Sequence, residues 1–179
     1  MRFKSKLVLV LVFIIMSFSA FAAKSNKKED VKMPNIVLYD QYGKKHNLEE
    51  YKGKVVVINF WATWCGYCVQ ELPEFEKVYK EFGSNKKDVI ILGVAGPKSK
   101  ENLNNVDVEK DKIISFLKKK NITYPTLMDE VGKSFDDYKV RALPMTYVIN
   151  KDGYLEGFVS GAITSEQLRK AVNETLKKK

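Results

Sequence analysis

Of 179 residues, two are cysteine and one is histidine. Two cysteines cannot form the disulfide framework that staples small secreted domains. They also cannot close a four-ligand zinc site without several other ligands, and one histidine offers few. His46 sits in the polar stretch Gly43-Lys44-Lys45-His46-Asn47 and is expected on a surface loop, neither ligand nor base. Acidic residues are in deficit, 22 against 31 basic, for a formal charge of +9. The lysine runs at 27–28, 86–87, 118–120 and 177–179 are not interleaved with aromatics, so nucleic acid is not an expected partner. They read as a solvated surface, with attraction to an anionic membrane as the lesser alternative. A hydrophobic content of 45% argues against disorder, and the length argues for one domain with no internal repeat.

A long bilayer-spanning run is also lacking. Leu7 to Ala23 is free of charge but only about 17 residues long, marginal for the hydrocarbon core. It follows Arg2, Lys4 and Lys6 and ends in Ala20-Phe21-Ala22, the small-residue pattern of a signal-peptidase site. Residues 1–22 are therefore expected to be a signal peptide, with an uncleaved anchor as the alternative. No nearby cysteine could carry a lipid. Without Arg2, Lys4 and Lys6, 28 basic and 22 acidic side chains remain, a net +6. Residues 23–33 read as a linker and 34–179 as the folded domain, outside the cytoplasm, where disulfides persist.

Asn35 to Tyr39 reads as a short strand, Asp40 to Gly43 as a turn, and Leu48 to Tyr51 as one helical turn. Lys54 to Trp61, β-branched and apolar on both faces, suits a central strand covered on each side. Val69 to Phe82 has helical spacing, with Leu72, Phe75, Val78, Tyr79 and Phe82 on one stripe; Pro73 should kink it and Gly83 end it. Val89 to Ala95 is a second buried strand and Gly96 to Asp107 a polar loop. Helices follow at Val108 to Lys120, with Ile113, Ile114 and Leu117 inward, and at Gly132 to Tyr138. Met145 to Asn150 and Tyr154 to Ser160 form a hairpin about Lys151-Asp152-Gly153. The last helix opens at Thr164-Ser165-Glu166. Strands alternating with helices give an α/β fold, a mixed sheet with helices on both faces.

The chemistry concentrates in Cys65-Gly66-Tyr67-Cys68, where a central strand feeds a helix. Open α/β sheets place their sites at such carboxyl ends. Two intervening residues in a first helical turn bring both sulfurs within bonding reach. Cys65 projects from the helix N-terminus, where unpaired N–H groups favour a thiolate, the species that attacks a disulfide. Cys65 is thus expected to be the nucleophile and Cys68 the resolving thiol. The motif alone also admits half a zinc site or an inert structural disulfide.

The surrounding block, Phe60-Trp61-Ala62-Thr63-Trp64-Cys65-Gly66-Tyr67-Cys68 with Glu71-Leu72-Pro73, resembles the active site of extracytoplasmic thioredoxins of the TlpA/ResA type. The likeness runs from about Asn35 to the C-terminus and takes in Gly53-Lys54, Tyr124-Pro125, Asp129 and Leu143 to Asn150 with Asp152-Gly153. It implies a thioredoxin fold, no cofactor, no metal, and a monomer that exchanges disulfides with protein partners. By the resemblance Pro144 is a cis-proline facing the cysteines, which keeps metal from the sulfurs and offers the Leu143 backbone to a partner chain. Asn59 stands where cytoplasmic thioredoxins carry a buried aspartate. Glu71 matches an acidic residue near the ResA-type site and is expected to handle a proton for Cys68, with an ordinary solvated glutamate as the alternative. Trp64, Gly66, Tyr67 and Leu143 are expected to meet the partner; Trp61 reads as core or rim. Most relatives have proline where this chain has Tyr67.

Val94-Ala95-Gly96-Pro97, the insert to Asp107, the stretch Phe135 to Arg141 and Ser160-Gly161-Ala162-Ile163 resemble a subgroup that gives electrons to methionine sulfoxide reductase. The expected function is a reductant of partner disulfides, that reductase first among them, recharged by a membrane electron donor because one dithiol cannot supply its own electrons. The alternatives are a reductant for cytochrome c maturation or a disulfide-forming oxidant; the latter usually carries a large helical insertion, for which Gly96 to Asp129 is short. A copper chaperone would want wider cysteine spacing and a histidine ligand.

Overall fold

The computed structural model describes residues 30–178. The expected signal segment 1–22, and the linker up to residue 29, lie outside the described residues. Among the described residues no helix is long and apolar enough to cross a membrane.

A five-stranded sheet forms the centre, its strands lying in the order 126–128, 89–95, 55–60, 145–149 and 155–160. Its middle strand β3 (Val55–Phe60) is buried along its whole length. Val55 and Val57 face one apolar cluster, and Val56, Ile58 and Phe60 face the other. That two-sided burial is why the segment reads as a continuous apolar run. β4 (Val89–Ala95) runs parallel to β3, and β5 (Thr126–Met128) parallel to β4. On the other side β6 (Met145–Ile149) is antiparallel to β3, and β7 (Leu155–Ser160) pairs with β6 to form an edge. The β6–β7 turn rests on Gly153, whose φ of 87° and N–H to the Asn150 carbonyl close it.

One face carries three helices. α1 (Gly66–Glu81) buries Leu72, Phe75 and Val78 there, α2 (Lys110–Lys119) buries Ile113 and Leu117, and α4 (Ser165–Lys177) buries Leu168 and Val172. Each such side chain contributes roughly 1.5–3 kcal/mol relative to exposure. Ile114, expected inward, is partly buried. On the opposite face the short α3 (Lys133–Asp137) brings Phe135, and Tyr138 after it, against Phe60 at 5.1 and 5.2 Å. The 3₁₀ turn Leu48–Tyr51 and Ile36 complete that cover. α4 starts with a capping box between Thr164 and Gln167.

The elements differ from the sequence expectation in four places. α1 starts where the first helical turn of the motif is expected, with Cys65 at its N-cap, but runs on through Pro73, which is expected to interrupt it. Proline there has no N–H, so the Val69 carbonyl lacks its helical donor. Two three-residue strands were not expected: β5, and β2 (Lys45–Asn47), which pairs with β1 (Val37–Tyr39) in a separate hairpin. His46 is corrected from a surface loop residue to a buried one. Its Nε2 lies 2.8 Å from Asp40 Oδ2 and its Nδ1 lies 2.6 Å from the Tyr51 hydroxyl. Asp40 Oδ1 in turn accepts the Tyr42 and Lys44 amides. Strand alternation turns this one position of a polar stretch inward, and the partners satisfy its ring nitrogens.

Candidate active site

The site grows from the carboxyl end of β3. Beyond Phe60 the Trp61 N–H donates to the Val94 carbonyl, holding the chain to β4 for one more residue. The backbone then turns, with the Cys65 N–H donating to the Ala62 carbonyl at 3.2 Å. Cys65 takes the N-cap position of α1 in extended conformation, and its sulfur accepts the Cys68 N–H at 3.2 Å. The two sulfurs are joined, with Cα atoms 5.2 Å apart. Cys65 retains 6% exposure and Cys68 none. Solvent therefore reaches the pair from the Cys65 side. A thiolate formed on Cys65 would sit among the free N–H groups of the first helical turn, at the positive end of the helix.

Glu71 lies one turn beyond Cys68 on α1 and is 2% exposed, so it is not a solvated helix glutamate. Its Oε1 accepts the Asn59 side-chain N–H at 2.8 Å and its Oε2 accepts the Ile163 backbone N–H at 3.0 Å. Burial pushes its carboxyl up to about 7, outweighing the downward pull of the Ile163 and Asn59 hydrogen bonds. A carboxyl poised near neutrality beside a buried thiol can take and return a proton. Asn59 is fixed by a second bond, to Thr146 Oγ1 at 3.1 Å. β3 thus ties the carboxylate to β6.

The Leu143–Pro144 peptide is cis, as the resemblance implied. The register places Met145 opposite Phe60, so Pro144 stands level with the chain leaving β3 towards the cysteines. The Pro144 carbonyl accepts the Gly161 N–H at 2.9 Å, anchoring it to the end of β7. Leu143 is half-buried and touches both apolar clusters. Trp61 is core. Trp64 is 64% exposed, Tyr67 is as open, and a side chain at Gly66 would meet nothing. The structure thus puts Trp64, Gly66 and Tyr67 on the surface around Cys65.

Sequence reasoning missed Asp107. Its Oδ2 accepts the Thr63 N–H at 2.7 Å and its Oδ1 accepts the Thr63 hydroxyl at 2.5 Å. Nothing in the polar run Asn104-Asn105-Val106-Asp107 marks this residue as turned inward. Glu76, also missed, is buried and accepts the Thr123 and Tyr124 amides. Among the described residues no group of three or more His, Cys, Asp or Glu could hold a metal.

Residues 30–157 match the AhpC/TSA family. The thiol-disulfide oxidoreductase ResA of Bacillus subtilis is 32% identical over 155 residues, covering 87% of this chain and 80% of that one. The thioredoxin-like protein YneN of Bacillus subtilis is 30% identical over 146 residues, 82% of this chain and 79% of that one. Among solved structures, StoA from Bacillus subtilis superposes with a TM-score of 0.65 at 25% identity, covering 77% of this chain and 96% of that one. The pneumococcal exposed lipoprotein thioredoxin of Streptococcus pneumoniae does so with a TM-score of 0.66 at 26% identity, covering 79% and 99%. With a family match over most of its length, ResA-type relatives and a bridged Cys-x-x-Cys at the head of a helix, this chain belongs to the AhpC/TSA thioredoxin-like family and is a thiol–disulfide oxidoreductase acting on disulfide-containing protein partners.

Proposed function

We propose that the protein works outside the cytoplasm as a monomeric reductant of partner disulfides, with oxidised methionine sulfoxide reductase as its principal partner. The observation that carries the reading is the asymmetry of the pair. Cys65 is the reachable sulfur at a helix N-terminus, and Cys68 is sealed beneath it, beside Glu71. In the reduced protein the Cys65 thiolate attacks a partner disulfide, forming one S–S bond and breaking another; the partner's departing sulfur takes a proton. Glu71 accepts the Cys68 proton, and the Cys68 thiolate attacks Cys65 Sγ. The partner leaves as a dithiol, and this protein keeps the disulfide. Pro144 and Leu143 line the approach, and Trp64, Gly66 and Tyr67 make the rim. A membrane donor then returns two electrons and two protons.

Three features support the direction and the setting. The stretch 96–129 contains an irregular segment, the ten-residue α2 and β5, not the large helical insertion usual in oxidants. The stretches 94–107, 135–141 and 160–163 carry the resemblance to thioredoxins serving methionine sulfoxide reductase. Residues 1–22 read as a signal peptide or anchor ahead of a 23–33 linker and a 34–179 domain, and one similar solved protein is described as an exposed lipoprotein. The test is the reduction potential of the Cys65–Cys68 couple in defined thiol buffers. A value at or below about −220 mV supports a reductant, and one near roughly −120 mV makes the protein an oxidant instead. Stoichiometric re-reduction of oxidised methionine sulfoxide reductase by the dithiol form then tests the partner.

A further inference from the structure

Between β4 and α2 the chain makes a long excursion, residues 96–109, that is closed at its neck. Lys98 N–H donates to the Val108 carbonyl and Asp107 N–H to the Gly96 carbonyl. Inside it, the Asn105 side-chain amide donates to the Pro97 and Asp129 carbonyls at 2.8 and 2.7 Å. At its outer end Ser99 donates to Glu130 and Asn102 to Val131. Backbone groups of a mobile loop would be left to water; these are tied down.

Two adjacent residues of this excursion grip two adjacent residues of the active-site turn. Asp107 receives both the N–H and the hydroxyl of Thr63, two residues before Cys65. The Val106 carbonyl receives the Trp64 indole N–H at 2.5 Å. Asp107 is buried, and among the described residues no cation pairs with it. A buried carboxylate whose partners are a neighbouring amide, Val108 N–H, and one threonine is there to hold that threonine. The indole is held at its one polar atom, and the ring stays exposed. The side chain of Val106, whose carbonyl holds the indole, is itself exposed, as is Tyr67 two residues past Cys65. Trp64, Tyr67 and Val106 thus bring exposed apolar surface to this side of Cys65, on a strongly basic chain.

We propose that Asp107 is a positioning residue for partner recognition. It fixes the Thr63–Trp64 turn so that the Trp64 ring, with Val106 and Tyr67, forms a rigid apolar ledge beside Cys65, selecting extended partner segments whose disulfide is flanked by apolar residues. The proposal rests on the reading of Cys65 as the sulfur that meets the partner. Rigid, pre-placed aromatic surface binds at low entropic cost, so loosening it weakens recognition more than chemistry.

The test compares two disulfide-bridged peptides differing in leucine or serine beside the half-cystines. The wild type should favour the leucine peptide through KM. Asp107→Ala should raise KM for that peptide about tenfold while kcat changes less than about twofold, and should erase the preference. Trp64→Phe keeps a ring on an exposed position but loses the indole N–H, and should raise the same KM about threefold; it covers the case in which Asp107→Ala does not fold. The two tryptophans give two indole N–H resonances, and in Asp107→Ala the Trp64 signal should move to a free-indole position while the Trp61 signal stays. Equal loss on both peptides, a fall in kcat alone, or an unmoved Trp64 resonance overturns the proposal. Peptide preference can be read in either direction of exchange, so an oxidising potential would sink the reductant reading and leave this one standing.

Discussion

Glu71 accepts a hydrogen bond from the side-chain amide of Asn59 at 2.8 Å, one helical turn beyond Cys68 and closed off from solvent. The same carboxylate holds the Ile163 amide in the segment that leads from β7 into α4. Where a cytoplasmic thioredoxin would place a charge on the strand, this chain has a neutral amide there and the ionisable group on the helix. The ionisable group thus lies on α1, and the strand residue orients it.

That arrangement makes stability depend on pH. The folded-state value of Glu71 is raised to about 7 from an ordinary 4.5. The group therefore binds a proton more tightly in the folded protein, and its contribution is fully present below pH 4.5 and is lost as pH rises towards 7. At about 1.4 kcal/mol per pH unit, the wild-type disulfide form should lose about 3 kcal/mol across that window relative to Glu71→Gln. Urea unfolding of both proteins at the two ends of the window measures it; parallel curves would contradict the buried-acid reading. Glu71→Gln should also slow resolution of the mixed disulfide, by about tenfold or more, and flatten its pH profile near neutrality.

The order of the two cysteines is open to direct trapping. Cys68→Ala should accumulate a mixed disulfide through Cys65 with the partner protein, visible on a non-reducing gel and lost on adding thiol. Cys65→Ala should accumulate none, because Cys68 has no exposure. Trapping through Cys68 would reverse the assigned roles.

The His46 cluster predicts a purely structural loss. Removing the ring in His46→Ala leaves Asp40 and Tyr51 facing a buried gap, at a cost of about 2–3 kcal/mol. Chemical denaturation should show that loss with the reduction potential unchanged, since the hairpin stands apart from the cysteines. A shift in potential would show that the hairpin supports the site after all.

Gly93 is required for space and not for its backbone angle. A Cβ there would lie 2.8 Å from Thr126 Oγ1 and 3.0 Å from Trp61 Nε1, both on fully buried side chains. Alanine normally suits a strand better than glycine, yet Gly93→Ala should destabilise the protein by about 1–3 kcal/mol through overpacking. A rise in thermal midpoint would mean that the neighbours give way freely.

Residues 54–61 and 89–95 announced their strands because both faces of each are buried, leaving an unbroken apolar run that composition alone reveals. The helix 165–177 and the hairpin at 151–153 were legible through local chemistry, a capping threonine and a glycine turn. Cys65 and Cys68 were legible because two residues between cysteines at a strand-to-helix junction is itself the geometry of the bond. The strands 45–47 and 126–128 were not legible: three residues are too few to show a period. Which polar residues turn inward was decided by tertiary structure alone. Glu76 and Asp107 are each buried because a partner distant in sequence (the amides at 123 and 124, the Thr63 turn) waits for it, and His46 because the fold of its own hairpin closes Asp40 and Tyr51 around it. Local sequence encodes an element's period and its ends. The satisfaction of a buried polar group is a meeting of two segments, and only the folded chain brings them together.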